Sequence, residues 1–192
     1  MKWLTTGGVV AAIAVGCATG WGLGWRGVVL LFAFFISGSL LTRLAGGSGG
    51  QRTYRQVLAN GGVAALAALL GSWPIAAGAL AAATADTWAT EIGSFSPRAP
   101  RLITTWQPVT KGTDGGVTLL GTAGGISGAL FIAGSAALLF APAMAVVWAG
   151  VAGMFVDSAL GATIQGKFLD NDGVNFAATV SGAGTAYLLT HL

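Results

Sequence analysis

Charged residues are scarce in this chain, and their scarcity excludes most classes of soluble protein. Only 8% of the 192 residues are Asp, Glu, Lys or Arg, whereas 54% are hydrophobic. A soluble domain typically has about 25% charged residues. The composition therefore predicts an integral membrane protein, in which many of the 32 glycines would allow helices to pack closely in lipid.

Cysteine and histidine are almost missing, which removes several kinds of site. Cys17 is the single cysteine, so neither an internal disulfide nor a cysteine-based metal cluster can form. His191 is the single histidine, so a histidine-based triad or metal triangle is excluded. Because no basic stripe with interleaved aromatic residues is present, we expect no nucleic-acid partner.

Long apolar segments predict an all-α fold, a polytopic transmembrane helix bundle that forms a single domain over residues 1–192. We expect about seven spans, or six if the first segment does not cross. The segments are residues 5–20, 26–44, 57–71, 74–92, 117–140, 142–165 and 174–192. Residues 14–17 superficially resemble a lipoprotein processing site, but only Lys2 precedes them as a basic residue, so we expect the segment to be retained.

Glycines at four-residue spacing predict where these helices approach one another most closely, because they remove the side chains that would keep the backbones apart. The series are Gly16, Gly20 and Gly24, at the end of the first segment and just after it, and the pairs Gly121/Gly125 and Gly124/Gly128 in the fifth.

Basic residues fall mostly on one side of this topology. Arg26 stands alone on the opposite side. The others are Lys2, Arg43, Arg52, Arg55, Arg98, Arg101, Lys111 and Lys167. By the positive-inside rule, the amino terminus is expected in the cytoplasm and the carboxyl terminus outside. We expect a bacterial cell membrane or a thylakoid-type membrane, with the site on the cytoplasmic side.

Acidic residues number only six, and their positions indicate a site. Asp86 and Glu91 follow the apolar residues 74–85. An ionised carboxylate there costs several kcal/mol unless it is paired, hydrated or bound to a cation. The other four also lie in polar, glycine-containing stretches near helix ends. They are Asp114, Asp157, Asp170 and Asp172.

Carboxylates are ligands that Mg²⁺ prefers, so we predict a magnesium site at Asp86, Asp157 and Glu91. Thr90 shares a helix face with Asp86. Glu91 lies about 140° round the helix from Asp86 and could serve a different ligand. Simple polar contacts between helices, or a solvated helix end for Glu91, are the alternatives.

Residues 94–116 contain three prolines and are expected to be ordered or extended, not helical. In their last part, a lysine, hydroxyl groups and glycines lie just before the amino terminus of a predicted helix. Backbone N–H groups and the helix dipole attract phosphate at such a position. The candidate phosphate-binding residues are Lys111, Gly112, Thr113, Asp114, Gly115 and Gly116. The alternative is a plain turn at a helix start.

Another glycine-rich loop, residues 45–56, contains Arg52 and Arg55 near its end. Both are candidate contacts for an anion. They could equally be orientation charges without a ligand.

Five separated motifs occur in the order QVLANG (56–61), ADTWATEIG (85–93), PVTKGTDGGVTLLGT (108–122), DSALGATIQ (157–165) and NDGVN (171–175). They closely resemble the integral-membrane family that includes the chloroplast phytyl-phosphate kinases, over about residues 38–192. The resemblance implies a kinase that uses a nucleoside triphosphate, with CTP expected, to convert a prenyl phosphate such as phytyl phosphate to the diphosphate. The motifs add candidate substrate-binding or nucleotide-binding residues, which are Asn60, Ser158, Gln165, Asn171 and Asn175.

In the expected reaction, Asp86 and Asp157 hold Mg²⁺ while Lys111 stabilises the transferring group. The expected partners are the prenyl phosphate, the nucleotide and membrane lipids. Two other functions stay open. One is a prenyl alcohol kinase, and the other is a cation-coupled carrier in which the two aspartates bind the transported ion.

Overall fold

Six helices and one pair of short strands make up the described part of the computed structural model, which covers residues 3–46, 50–139 and 142–191. In chain order the elements are α1 (Thr6–Leu44), α2 (Tyr54–Leu69), α3 (Trp73–Ser94), β1 (Arg101–Leu102), β2 (Gly116–Val117), α4 (Leu119–Leu138), α5 (Ala143–Thr163) and α6 (Asn171–His191). The predicted all-α fold is confirmed. Predictions on Lys2, residues 47–49, Phe140 and Leu192 lie outside the described residues.

Helix α1 folds back on itself at Gly24, which has φ 66° and ψ −164°. Residues with a side chain rarely adopt this conformation. The two arms, residues 6–23 and 25–44, lie side by side, because the Trp3 ring is 5.5 Å from the Phe35 ring and 4.8 Å from the guanidinium carbon of Arg43. The first two predicted segments are therefore the two arms of one bent helix.

Three of the described helices, α1, α4 and α5, are long and apolar enough to cross a membrane. This finding agrees with the predicted class of protein. The number of crossings and the side of the amino terminus stay predictions.

The first glycine series makes the close contact that its spacing predicts only at Gly20, where an added Cβ would lie 3.2 Å from Cγ2 of Val28 in the other arm of α1. At Gly16 and Gly24, no neighbouring atom of the described chain lies within 4 Å of the position that a Cβ would take. A Cβ at Gly22 would instead lie 1.8 Å from the carbonyl oxygen of Ala68 in α2. The closest approach of α1 to α2 is therefore at Gly22, outside the predicted series.

Helix α3 is the centre of the bundle, and its residues 76–85 are all buried. These residues are nearly all small, so neighbouring helices come very close. A Cβ at Gly78 would lie 2.8 Å from the carbonyl oxygen of Gly182 in α6, and one at Gly153 in α5 would lie 2.3 Å from the Cβ of Ala82. Burial on every side explains why this stretch has no polar face.

Helix α4 packs on α3 through glycines at the predicted spacing. Added Cβ atoms at Gly121 and Gly125 would lie 2.7 and 2.9 Å from the carbonyl oxygens of Ala89 and Ala85. The small residues thus bring α4 against the polar end of α3 as well as against its apolar stretch.

The segment between α3 and α4 is not helical, as predicted, and contains several turns and two short strands. Strands β1 and β2 pair antiparallel, with Arg101 opposite Val117 and Leu102 opposite Gly116. Thr118 then caps α4, because its hydroxyl accepts a hydrogen bond of 2.9 Å from the Gly121 N–H. The pairing of β1 with β2 fixes where the loop of residues 111–116 meets the bundle.

Candidate functional site

A cavity of about 530 Å³ lies at one end of the bundle, where the carboxyl-terminal part of α3 meets α5 and the loop of residues 111–116. We call it the polar cavity. Nearly all of the predicted site residues line it. They are Arg52, Asn60, Asp86, Thr90, Glu91, Lys111, Gly112, Thr113, Asp114, Gly115, Gly116, Asp157, Ser158, Gln165, Asn171 and Asn175. All five motifs supply polar side chains to it, and the third motif, residues 108–122, also supplies the loop backbone.

Asp86 of α3 and Asp157 of α5 face each other in this cavity, with their carboxyl groups within hydrogen-bonding reach. The Oδ2 atom of Asp157 is buried and has no hydrogen-bond partner among the described residues. A buried oxygen without a partner is costly unless a proton, water or cation satisfies it. The pair therefore suits a bound cation.

Glu91 lies away from this pair. Its Oε1 atom accepts a hydrogen bond of 2.7 Å from the Thr42 hydroxyl of α1, and its charge acts on Arg52. Among the described residues, no group of three or more acidic, histidine or cysteine side chains could hold a metal together. Glu91 as a metal ligand therefore stays a prediction, and its different direction on the helix favours the alternative that it serves another ligand.

Arg52 is a largely enclosed cation at the rim of the polar cavity. Its backbone is fixed by the amino-terminal segment, since its N–H donates to Trp3 (3.0 Å) and its carbonyl accepts from the Thr5 N–H (3.2 Å). Its guanidinium carbon lies 5.5 Å from the Phe35 ring centre. Burial lowers the pKa of Arg52, partly offset by Glu91, yet an arginine remains protonated.

No carboxylate of the described chain lies within 4 Å of the Arg52 guanidinium, in contrast to that of Arg55. Arg52 therefore has the charge and the free donors that a phosphate group requires.

Arg55, the other candidate anion contact in this loop, does not line the polar cavity. It forms an ion pair with Asp170, and its Nε atom lies 3.6 Å from Asp172. The Oδ1 atom of Asp170 also accepts from the Gly173 N–H (2.9 Å), and these two contacts hold the pKa of Asp170 below its usual range. Arg55 thus ties the start of α2 to the start of α6.

Lys111 also lines the polar cavity, and its Nζ donates to the carbonyl oxygen of Ser94 (3.1 Å), the last residue of α3. A cation at a helix carboxyl end is favourable in itself. The loop around it turns at Gly112 (φ 85°) and Gly115 (φ 73°). A Cβ at Gly115 would lie 2.5 Å from Ala162 of α5, so this backbone is pressed against the helix that carries Asp157.

Several lining residues were not predicted. They are Thr42, Gln56, Thr87, Ser94, Thr118 and Thr122, among others. Gln56, Thr87, Thr118 and Thr122 lie within the motifs, so the resemblance carried a signal for them. Thr42 lies in none of the motifs, and only the tertiary contact of α1 with α3 reveals it.

Sequence comparisons agree with the motif-based resemblance. The family model described as "Integral membrane protein DUF92" matches residues 1–183, a range that includes the first segment, which the motifs did not cover. A membrane protein of Methanocaldococcus jannaschii, described as uncharacterized, is 36% identical over 94% of this chain and 83% of its own length.

Two plant relatives also match. Protein PGR of Arabidopsis thaliana is 33% identical over 81% of this chain and 78% of its own length. The chloroplastic protein VTE6 of the same plant is 27% identical over 97% of this chain and 65% of its own length. No solved structure matches. The chain belongs to the DUF92 family of integral membrane proteins.

Proposed function

We propose that this protein is a membrane-embedded kinase that transfers a phosphoryl group from a nucleoside triphosphate, with CTP expected, to a prenyl phosphate such as phytyl phosphate. The observation that carries the proposal is the meeting of Asp86 and Asp157 in one cavity with the Lys111 loop. Phosphoryl transfer needs mainly positioning and charge neutralisation, which these residues offer. The motifs shared with the family of the phytyl-phosphate kinases support the same class of reaction.

Asp86 and Asp157 would hold Mg²⁺ in this function. The fit rests on two adjacent carboxyl groups, one of which has a buried oxygen without a protein partner. Mg²⁺ usually takes one or two carboxylates, with phosphate oxygens and waters as its other ligands, so no third carboxylate is needed. When bound, the ion would draw negative charge from the phosphate oxygens.

The reaction is a displacement at the terminal phosphorus of the nucleotide. An oxygen of the prenyl phosphate forms the new bond to that phosphorus, while the bond to the bridging oxygen breaks and the nucleoside diphosphate leaves. A phosphate monoester is already ionised at neutral pH, so no strong general base is required. Lys111 would contact the nucleotide phosphates, and Arg52 would hold the prenyl phosphate.

An assay with purified protein tests the proposal. Radiolabelled CTP, ATP, GTP and UTP are each offered with prenyl monophosphates and with the matching prenyl alcohols, and the products are separated by thin-layer chromatography. We expect a prenyl diphosphate with one preferred nucleotide. Product from the alcohols alone would instead assign a prenyl alcohol kinase.

The unpartnered carboxylate oxygen also fits a second function, a cation-coupled carrier. That function gives no role to Arg52 or Lys111. Substrate uptake into vesicles that is driven by a cation gradient, with no nucleotide present, would support the carrier. No prenyl diphosphate in the same preparation would then contradict the kinase.

A further inference from the structure

A second, apolar pocket of about 190 Å³ lies between the two arms of α1 and the start of α2. We call it the tail pocket. Its walls include Leu4, Val15, Leu31, Phe32, Phe35 and Val57. These apolar side chains suit a hydrocarbon and form no hydrogen bonds with a sugar or a base.

Polar side chains enter the lining of the tail pocket at Arg52, Gln56 and Asn60. The same three residues line the polar cavity. Gln56 and Asn60 are four residues apart on α2 and so share one helix face. The tail pocket and the polar cavity therefore share one polar wall, which contains the cationic side chain of Arg52.

From this arrangement we propose that the tail pocket binds the first part of the prenyl chain while Arg52 holds the phosphate to which the chain is attached. The proposal rests on the proposed function, because it concerns how that substrate is bound. The ligand must be both anionic and apolar, with the anion at the junction and the hydrocarbon beyond it. A prenyl monophosphate has this form.

Gly16 offers a way to fill the tail pocket without straining the fold. It lines the pocket, and no neighbouring atom of the described chain lies within 4 Å of the position of an added Cβ. It lies about 15 Å along α1 from Thr6, at ~1.5 Å per residue. A long chain would reach this depth, whereas the five-carbon chain of isopentenyl phosphate would not.

The test is photo-crosslinking of the full chain with a twenty-carbon prenyl monophosphate that carries a diazirine on its chain, in detergent and without nucleotide. We expect labelled peptides from residues 28–35 or 57–61. In Gly16→Phe the labelling should fall at least ~10-fold, since a loss of 1.4 kcal/mol in binding is tenfold. Gly134→Phe is the matched control, because Gly134 also has no neighbour within 4 Å and lines neither space.

Ala12→Phe provides a second blocking variant if Gly16→Phe does not give a monodisperse protein, since Ala12 also lines the tail pocket. Unchanged labelling in a folded blocking variant would overturn the proposal. Equal labelling by a diazirine-bearing phosphatidylcholine would also overturn it, because the pocket would then hold bulk lipid.

Turnover separates this proposal from the proposed function. If the kinase activity exists, Gly16→Phe should raise KM for the twenty-carbon phosphate at least ~10-fold and leave KM for isopentenyl phosphate within about twofold. Equal effects on both chain lengths would overturn the tail pocket and leave the kinase intact. Labelling in the pocket without any phosphoryl transfer would support the pocket and contradict the kinase.

Discussion

The two halves of α3 differ in their surroundings: one is buried among neighbouring helices, and the other lines the polar cavity. Residues 76–85 are small, buried and in contact with helices on several sides. Residues 86–94 belong to the same helix but supply Asp86, Thr90 and Glu91 to the polar cavity. The packed half fixes the positions of the neighbouring helices, and the other half uses those positions to bring polar groups together. This arrangement predicts that changes in one half affect stability and changes in the other affect function.

The largest effect is expected from Asp157→Asn in α5, which pairs with Asp86 of the cavity half of α3. It should lower phosphoryl transfer by ~10³-fold or more, because it removes half of the carboxylate pair. Folding should be retained, since a neutral amide is less costly to bury than a carboxylate. Turnover and size-exclusion profiles measure these two outcomes.

Magnesium provides a second readout for the same variant. If the pair binds Mg²⁺, the ion should raise the Tm of the parent protein and not that of Asp157→Asn. Asp172→Asn is the control, because it also removes one acid but lies outside the cavity lining. Full turnover in both Asp86→Asn and Asp157→Asn would contradict the metal assignment.

Gly153→Val should break the packed half. The added Cβ would lie 2.3 Å from Ala82 and 3.0 Å from the carbonyl oxygen of Ala178, so α3, α5 and α6 must separate. Overpacking of this kind costs about 1–3 kcal/mol or more. We expect a lower Tm, with activity lost only as the protein unfolds. Gly184→Val controls for helix propensity, since no neighbouring atom of the described residues lies within 4 Å of a Cβ there. Equal Tm losses in the two variants would show that the close packing is not the cause.

Lys111→Ala tests which substrate the loop of residues 111–116 binds. A charged hydrogen bond contributes about 1.5–3 kcal/mol, so we expect a 10- to 150-fold loss in kcat/KM for the nucleotide. Lys111→Arg should recover only part of it, because a planar fork does not replace a compact ammonium. If the loss appears only with the prenyl phosphate as the varied substrate, the loop binds that substrate instead. An unchanged kcat/KM for both substrates would mean that Lys111 only caps α3.

The smallest effect is expected at Arg55 and Asp170, which lie on the surface. Because the folded state lowers the pKa of Asp170, the carboxylate stabilises the protein above its usual pKa and loses this effect as the pH falls below about 4. Asp170→Asn should therefore lower the Tm slightly at pH 7 and make no difference at the most acidic pH that the protein tolerates. A large loss of turnover at pH 7 would give this pair a role beyond joining α2 to α6.

Much of the site could be predicted because its residues lie in motifs, and a motif needs no tertiary structure to be recognised. The helices could be predicted from apolar segments, and the break near Gly24 from the interval between the segments 5–20 and 26–44. The sequence could not predict that Arg52 lines the polar cavity whereas Arg55 pairs with Asp170, since both arginines lie near the end of the same loop. The partner of Arg55 is 115 residues away, and the partner of Glu91 is 49 residues away.

The contact of Gly78 with Gly182 bears on how the protein is made. A ribosome finishes α3 long before it reaches α6, so Asp86 is synthesised before its full protein surroundings exist. Asn171 and Asn175 line the cavity and belong to that last helix. During synthesis the cavity therefore stays open on one side until α6 docks, and a chain cut before residue 171 would expose an acidic helix that quality-control proteases could recognise.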